Sequence, residues 1–243
     1  MYKRQERDRG AADRLGRAGR GRRAGVRCGR GVPVSAVRVE VWSDIVCPWC
    51  YIGKRRFESA LAGFDGEVEV EWRSFQLDPN APVGEFLPTP EHLSAKMGAS
   101  REQVEGMMGQ VTAVAAEVGL EYDLVNSVSL NTFDAHRVLH LAKSHGLGTV
   151  AHERLMRANL VEARTLDTPT LVELAAGIGV PAQETERVLA GDEYAHEVRE
   201  DFAQARRYGV SGVPFFVLNS AYGVSGAQPA EVFAQALRQA AQG

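Results

Sequence analysis

Two segments near the start of the chain alternate between apolar and polar residues, the pattern of a β-strand with one buried face. They are residues 37–42, VRVEVW, and residues 67–73, EVEVEWR. Between them, residues 47–62 have a helix-like pattern that ends at a glycine-containing turn. This order predicts a β-α-β unit with a parallel pair of strands.

The middle of the chain changes to a helical period. Four prolines between residues 79 and 90 break regular structure, and from about residue 90 to residue 208 the pattern is helical throughout. Ser100 followed by Gln103 is typical of a capped helix N-terminus. The predicted helices are 100–118, 131–145, 149–163, 169–177, 181–190 and 193–208.

Strand signals return only near the C-terminus. Residues 214–218 and 222–224 read as two short strands joined by a turn, and residues 229–241 read as a final helix. The four strands predict one mixed sheet whose two halves lie far apart in the sequence.

The predicted fold class is therefore α/β, one mixed four-stranded sheet interrupted by a helical insertion. Residues 36–80 and 209–243 form the core in this interpretation. Residues 81–208 form an all-helical insertion domain.

Residues 1–35 differ from the rest of the chain in composition. They hold 11 of the 28 lysines and arginines but only 3 of the 31 acidic residues, with few large apolar side chains. Such a segment cannot bury enough surface to offset its ordering entropy, which predicts a disordered basic tail. Its Arg-Gly-Ala composition favours upstream coding sequence read from too early a start over an RNA-binding or targeting tail.

The remaining chain is acidic, with 17 basic and 28 acidic residues. Because phosphate binding needs clustered basic charge, nucleic acid is not expected as a partner. No stretch approaches the roughly 18 consecutive apolar residues of a membrane span, and no apolar signal segment follows the basic start. We therefore expect a cytoplasmic protein without a membrane partner.

The most informative motif is Cys47-Pro48-Trp49-Cys50, between the first strand and the first helix. A helix N-terminus has unpaired N–H groups and the positive end of the helix dipole, and both favour a thiolate at Cys47. Proline suits the first helical turn, and Cys50 lies on the same helical face, so the two sulfurs can form and reopen a disulfide. With Cys28 the chain has three cysteines, which does not fit the even framework of a disulfide-stapled secreted domain.

Four segments of the chain resemble the thioredoxin superfamily and, within it, the DsbA-like family that contains the FrnE proteins. They are WSDIVCPWCYIG at 42–53, Asn131-Thr132 with Ala135-His136-Arg137, Gly212-Val213-Pro214, and SGAQP at 225–229. The resemblance extends over about residues 37–241 and implies a thioredoxin fold with a helical insertion.

The resemblance also implies a catalytic site. It implies that Cys47 attacks a substrate disulfide and that Cys50 resolves the mixed disulfide. Pro214 is then a cis proline against the sulfurs, and Val213 presents its backbone to the substrate. The implied activity is that of a thiol:disulfide oxidoreductase or isomerase acting on a protein or small-molecule disulfide, with no cofactor and no metal.

Pro48 and Trp49 form the active-site loop, where an aromatic side chain is expected to be partly exposed and to contact substrate. Many thioredoxins carry a buried acid six residues before the nucleophile, and this chain has Val41 there. Because strand alternation points Glu40 to the opposite face from Val41, neither Glu40 nor Asp44 is assigned the role of that acid.

Three other functions are weighed against these residues. A zinc site would need His136 and His140 as further ligands, but more than 80 residues separate them from the cysteine motif, and a packed His136 is the preferred interpretation. A glutathione-dependent enzyme, resembling 2-hydroxychromene-2-carboxylate isomerases or kappa-class glutathione transferases, would bind its thiol cofactor near Pro214 but would not need Cys50. A chaperone-like binding module leaves the cysteine motif unexplained.

Overall fold

The computed structural model describes residues 36–242, so the predicted basic tail and Cys28 lie outside the described residues. The elements in chain order are β1 (Val37–Ser43), α1 (Pro48–Ala62), β2 (Val68–Ser74), β3 (Leu87–Pro88), α2 (Thr89–Met97), α3 (Arg101–Ala116), β4 (Val128–Ser129), α4 (Phe133–Ser144), α5 (Gly148–Leu160), α6 (Thr168–Gly177), α7 (Ala182–Ala190), α8 (Ala195–Arg207), β5 (Phe215–Leu218), β6 (Tyr222–Ser225) and α9 (Ala230–Ala240).

The main sheet has four strands in the order β2-β1-β5-β6. Strands β1 and β2 are parallel, with Val39 opposite Val70, whereas β5 is antiparallel to both β1 and β6. The sequence prediction of one mixed four-stranded sheet with its halves on either side of a long insertion is confirmed.

Strand β1 is central and almost fully buried because both of its faces are covered. Val39 and Val41 face a core that contains aromatic side chains of α1, β5 and α9. On the other face Trp42 packs against Val217 and residues near α8, and its Nε1 donates to Asp201 O at 3.0 Å. Burial of both faces fixes the register of the strand that leads into the cysteine motif.

The insertion is helical apart from one short ribbon that the sequence pattern does not predict. Strands β3 and β4 pair antiparallel, with Leu87 opposite Ser129, so the expectation of an all-helical insertion is corrected here. Two-residue strands are too short to show a period of two. Helix α2 was also missed as an individual element, because it begins in the proline-rich segment with Pro90 in its first turn, where no N–H is needed.

Helix α3 begins as the sequence predicts. The Ser100 hydroxyl accepts from Gln103 N at 3.2 Å, and the Gln103 side chain accepts from Ser100 N at 2.8 Å. This reciprocal capping box satisfies two backbone donors at the start of the helix.

The first turns of α1 pack against the insertion rather than against the sheet. Cys47, Cys50, Tyr51 and Ile52 belong to the same buried apolar cluster as side chains of α3 to α7. The cysteine motif therefore lies where the insertion meets the start of α1. Among residues 36–242, no helix combines the length and the apolar content needed to cross a bilayer.

Candidate active site

Both cysteines of the motif lie at the N-terminus of α1 as free thiols. Cys47 is the N-cap residue in an extended conformation, and Pro48 occupies the first turn. Cys50 N donates to Cys47 O at 3.0 Å, and Cys47 N donates to Asp44 O at 3.2 Å. The two residues are 4% and 1% exposed, so both cysteines are buried at the start of the helix.

The segment before β5 approaches Cys47 from the far end of the sequence. The Val213–Pro214 peptide bond is cis, and Cys47 Sγ lies 3.7 Å from Val213 O. Gly226 N donates to Pro214 O at 2.8 Å, which ties this segment to the end of β6. The predicted residues Cys47, Val213 and Pro214 are thus brought together, although more than 160 residues separate them.

Helix α1 and Pro214 come so close that only glycine fits at position 53. A Cβ on Gly53 would lie 2.9 Å from Pro214 Cγ and 3.5 Å from Ala227 Cα. The proline ring cannot rotate away, so a larger residue must push the segment before β5 away from the cysteines.

We expect Gly53→Ala to lower the rate of the disulfide exchange that the sequence resemblance implies about tenfold, because the steric cost of overpacking acts at the Pro214 contact. The control is Gly106→Ala in α3, where no atom lies within 4 Å of the added Cβ. That variant should keep full activity and gain about 0.5–1 kcal/mol of stability from helix propensity. Equal activity of the two variants in a disulfide-reduction assay would contradict the steric argument.

Cys50 is held in its neutral form by its surroundings. Burial raises the pKa of the Cys50 thiol well above its ordinary value, and its hydrogen bond with Cys47 and the charge of Cys47 act in the same direction. The backbone of Asp44 opposes this pKa shift without cancelling it. Cys50 is therefore a thiol at a pH where an ordinary cysteine begins to ionise.

This raised pKa predicts selective alkylation of the reduced protein. We expect iodoacetamide at mildly alkaline pH to modify Cys47 first and to leave Cys50 unmodified, since the thiolate is the reacting form. Peptide mass spectrometry of the labelled native protein measures the two rates, with urea-unfolded protein as the control in which the rates converge. Equal labelling of Cys47 and Cys50 in the native protein would contradict the raised pKa of Cys50.

Trp49 borders a large cavity between the active-site loop and the insertion. Its side chain is 41% exposed, which agrees with the sequence expectation. The cavity has a volume of about 540 Å³, and Pro48, Trp49 and Asp44 line it at the cysteine end. Most of the remaining wall is apolar and is formed by α2, α3 and the segment before α4, including Leu93, Met97, Met107, Met108, Val111 and Leu130.

Tyr122 is a site residue that the sequence analysis missed. Its hydroxyl donates to Pro48 O at 2.6 Å, so it supports the active-site loop directly. Burial raises the pKa of Tyr122, and the charge of Cys47 adds to the effect. Tyr122 lies in an irregular segment without periodicity, so no local pattern could have identified it.

Asp44 and His136 form a buried pair beside the motif. The Asp44 carboxylate accepts from Leu77 N at 2.8 Å and lies 3.3 Å from His136 Nε2, which is also 3.0 Å from Phe75 O. Because both neighbours of Nε2 are acceptors, this nitrogen carries the proton. His136 is fully buried, as the preferred sequence interpretation has it.

The other polar residues considered from the sequence have separate partners. His140 Nε2 lies 3.0 Å from Asp201 Oδ2, and Glu40 forms an ion pair with Arg73 at 2.7 Å on the face opposite Val41. Within the part of the chain that the structure describes, no three His, Cys, Asp or Glu side chains are grouped as metal ligands.

A buried ion-pair network supports α1 one turn beyond the cysteines. Lys54 is 2% exposed, and its Nζ donates to Glu153 Oε2 of α5 at 2.6 Å. Tyr51 and Arg55 also donate to the Glu153 carboxylate. Burial by itself would raise the pKa of Glu153, but the hydrogen bonds from Lys54, Tyr51 and Arg55 outweigh it and lower the pKa to about 2.

Comparison with known proteins agrees with this arrangement. Residues 38–238 match the DSBA-like thioredoxin domain. The chain is 28% identical over 205 residues to the uncharacterized protein YwbO of Bacillus subtilis, which covers 83% of this chain and 96% of that protein. It is 50% identical to a probable DsbA oxidoreductase of Streptomyces coelicolor, whose crystal structure superposes with a TM-score of 0.81 over 84% of this chain and 89% of the other.

More distant structures share the fold alone. The cytosolic disulfide reductase DsbM of Pseudomonas aeruginosa is 19% identical, with a TM-score of 0.58 over 85% of this chain and 100% of that one. A 2-hydroxychromene-2-carboxylate isomerase is 13% identical, with a TM-score of 0.64 over 83% of this chain and 95% of that one. With the family match extending over most of its length, the chain belongs to the DSBA-like thioredoxin-domain family.

Proposed function

We propose that this protein is a cytoplasmic thiol:disulfide oxidoreductase that exchanges two electrons between the Cys47/Cys50 pair and a protein or small-molecule disulfide. The observation that carries the proposal is the position of Cys47 at the N-terminus of α1, 3.7 Å from Val213 O and one helical turn from a second free thiol. A single nucleophile needs no such neighbour, whereas disulfide exchange needs a resolving thiol.

The proposed reduction proceeds in two exchange steps. The Cys47 thiolate attacks one sulfur of the substrate disulfide, a mixed disulfide forms, and the first substrate sulfur leaves as a thiolate that takes up a proton. Cys50 then loses its proton and attacks Cys47 Sγ, which releases the second substrate thiol. The enzyme ends as a Cys47–Cys50 disulfide, and the substrate has gained two electrons and two protons. Oxidation of a dithiol substrate is the reverse sequence.

The backbone near Cys47 supports binding of an extended substrate. The carbonyl oxygen of Val213 lies next to the Cys47 sulfur. There it can accept a hydrogen bond from a substrate N–H beside the reacting bond. Trp49 and the adjoining cavity of about 540 Å³ supply an apolar surface for the group that flanks the substrate cysteine. These features support a substrate that is held through its backbone and one apolar group.

The same cavity favours one second candidate, a glutathione-dependent isomerase or transferase. Its volume and mainly apolar wall are those of a site for a small organic molecule. The structural neighbour DsbM has been solved with glutathione, and another neighbour is an isomerase. A glutathione-dependent isomerase or transferase would not use Cys50 in its chemistry. We therefore rank this second candidate below disulfide exchange.

The test is a redox titration of the full chain in glutathione buffers, followed by thiol alkylation and mass spectrometry. We expect a reversible two-electron Cys47–Cys50 couple, and mixed disulfides held on Cys47 in Cys50→Ser. The midpoint assigns the direction of electron flow. If no intramolecular disulfide forms at any potential, the oxidoreductase proposal fails, and turnover of a glutathione-dependent isomerase substrate would establish the second candidate.

A further inference from the structure

A second cavity, of about 210 Å³, opens along strand β2 and shares no lining residue with the cavity beside Trp49. Five consecutive residues of β2, from Val70 to Ser74, line it. Alternate side chains of a strand point to opposite faces, so only a space at the strand edge can touch five residues in succession. Strand β2 is an outer strand of the sheet, and helices α4 and α5 form the opposite wall. We call this space the β2-edge groove.

The backbone of β2 has groups that face this groove. Glu67 O accepts from Val37 N at 2.9 Å, and Phe75 N donates to Ser43 O at 3.1 Å, so odd-numbered residues between them face β1. The backbone N–H and C=O groups of the even-numbered residues therefore point away from β1, toward the open edge of the sheet.

Ser74 N donates to Asp201 Oδ2 at 2.9 Å, which closes one end of the open edge. Among the residues that the structure describes, the outward N–H and C=O groups of Val70 and Trp72 have no hydrogen-bond partner. Unpaired groups on a strand edge are a template for one more strand.

Two side chains of the groove also lack partners within residues 36–242. Both ring nitrogens of His152 and the Nε1 of Trp72 are buried and unpaired, and the two rings stack with centroids 4.1 Å apart. His152 is 1% exposed. Buried polar groups normally find a partner, so a polar group that enters beside these two rings would supply one.

The charge state of His152 restricts what that occupant is. Burial, followed by the positive charge of Lys54 and by His136, lowers the pKa of His152 to about 3. Its imidazole is therefore neutral, with one donor and one acceptor, and Trp72 adds an indole donor. A carboxamide has the complementary acceptor and donor, whereas a charged group would gain no opposite charge from these two rings.

We propose that the β2-edge groove binds an extended peptide segment that pairs with Val70 and Trp72 as an added strand and directs an Asn or Gln side chain to Trp72 and His152. Five lining residues correspond to about 13 Å of strand, enough for three to four residues of peptide. Backbone pairing supplies affinity in this mode, and the side-chain pocket supplies selectivity. The site is independent of the thiol chemistry proposed above.

The test uses two tripeptide probes, acetyl-Val-Asn-Val-amide and acetyl-Val-Leu-Val-amide, with the ¹⁵N-labelled full chain. We expect the Asn probe to shift the Trp72 indole resonance and to slow hydrogen exchange of the Val70 and Trp72 amides at least about tenfold. The Leu probe should bind about tenfold more weakly, because it leaves the buried nitrogens unpaired. Absence of shifts at millimolar probe would overturn the proposal.

Matched variants locate the contact. Val70→Pro removes an outward N–H without breaking the ladder to β1, and Val68→Pro does the same at the first residue of the strand, outside the groove. We expect the first variant to lose binding at least about tenfold and the second to bind like wild type, because only the first removes a pairing donor. Equal binding by both variants would contradict strand addition.

A third variant keeps the proposal testable if Val70→Pro does not fold. His152→Phe preserves a ring against Trp72 but removes both unpaired nitrogens. It should prefer the Asn probe less strongly than wild type does, because only the Trp72 indole is left to bond the carboxamide, and it should retain thiol exchange. A His152→Phe variant that prefers the Asn probe as strongly as wild type would overturn the assigned role of His152.

Discussion

Replacing Cys47 with serine is expected to lower disulfide-exchange activity by at least about a thousandfold, because the hydroxyl is not ionised near neutral pH and cannot form the mixed disulfide. Cys50→Ser should also stop turnover but should still form a covalent adduct with substrate through Cys47. The asymmetry follows from the structure. Cys47 is the N-cap residue facing Val213 O, and Cys50 is a buried thiol with a raised pKa.

The measurement is the rate of reduction of insulin disulfides with glutathione as the electron source, together with the mass of any covalent adduct. Cys28→Ser is the matched control, since Cys28 lies outside the motif and should leave the rate unchanged. A Cys47→Ser protein that keeps turnover, or a Cys50→Ser protein that forms adducts only on another residue, would contradict the assigned nucleophile.

The second large effect is expected on stability, from Glu153→Gln. The change leaves the buried Lys54 without its 2.6 Å partner. Breaking a fully buried pair costs about 3–5 kcal/mol. Glu153 is partly exposed and Lys54 retains Glu58, so we expect a loss of about 2 kcal/mol in the free energy of unfolding at neutral pH.

The same substitution should change how stability depends on pH. The folded-state pKa of Glu153, about 2, is depressed below the unfolded value of about 4.3. A depressed carboxylate contributes stability that is present above the unfolded pKa and is lost as pH falls through the folded pKa. The difference between wild type and Glu153→Gln should therefore shrink as pH falls from about 4.3 to about 2.

Urea denaturation at neutral pH and at several acidic pH values measures both effects. Glu58→Gln is the matched control, because Glu58 contacts the same Lys54 from a position 40% exposed and should cost less than about 1 kcal/mol. If Glu153→Gln and Glu58→Gln were equally stable, the contact of Lys54 with Glu153 on α5 would contribute no more stability than its contact with Glu58 within α1.

Much of the fold could be predicted from local patterns. The alternation in 37–42 and 67–73 locates β1 and β2, and Ser100 with Gln103 marks the start of α3. These predictions succeed because burial of one face imposes a period on a strand or helix. The β3–β4 ribbon escapes them, since two residues carry no period.

The residues of the candidate site also fall into two groups, those that local sequence identifies and those that it does not. Cys47 and Cys50 are recognisable because three-residue spacing at a helix start is a local feature. Tyr122 and Glu153 are not, because each contacts α1 from a distant segment whose own sequence has no distinguishing pattern.

By itself, the sequence determined the order of the four main-sheet strands, the helix N-terminus that carries the two cysteines, and the family to which the chain belongs. Only the tertiary structure decided that Cys50 is buried with a raised pKa, that Val213 O lies at Cys47 Sγ, and that the β2 edge is left open. Local sequence sets backbone propensity and periodicity. Burial, opposing charges and unpaired edges arise from segments that meet only when the whole chain has folded, so no window of sequence contains them.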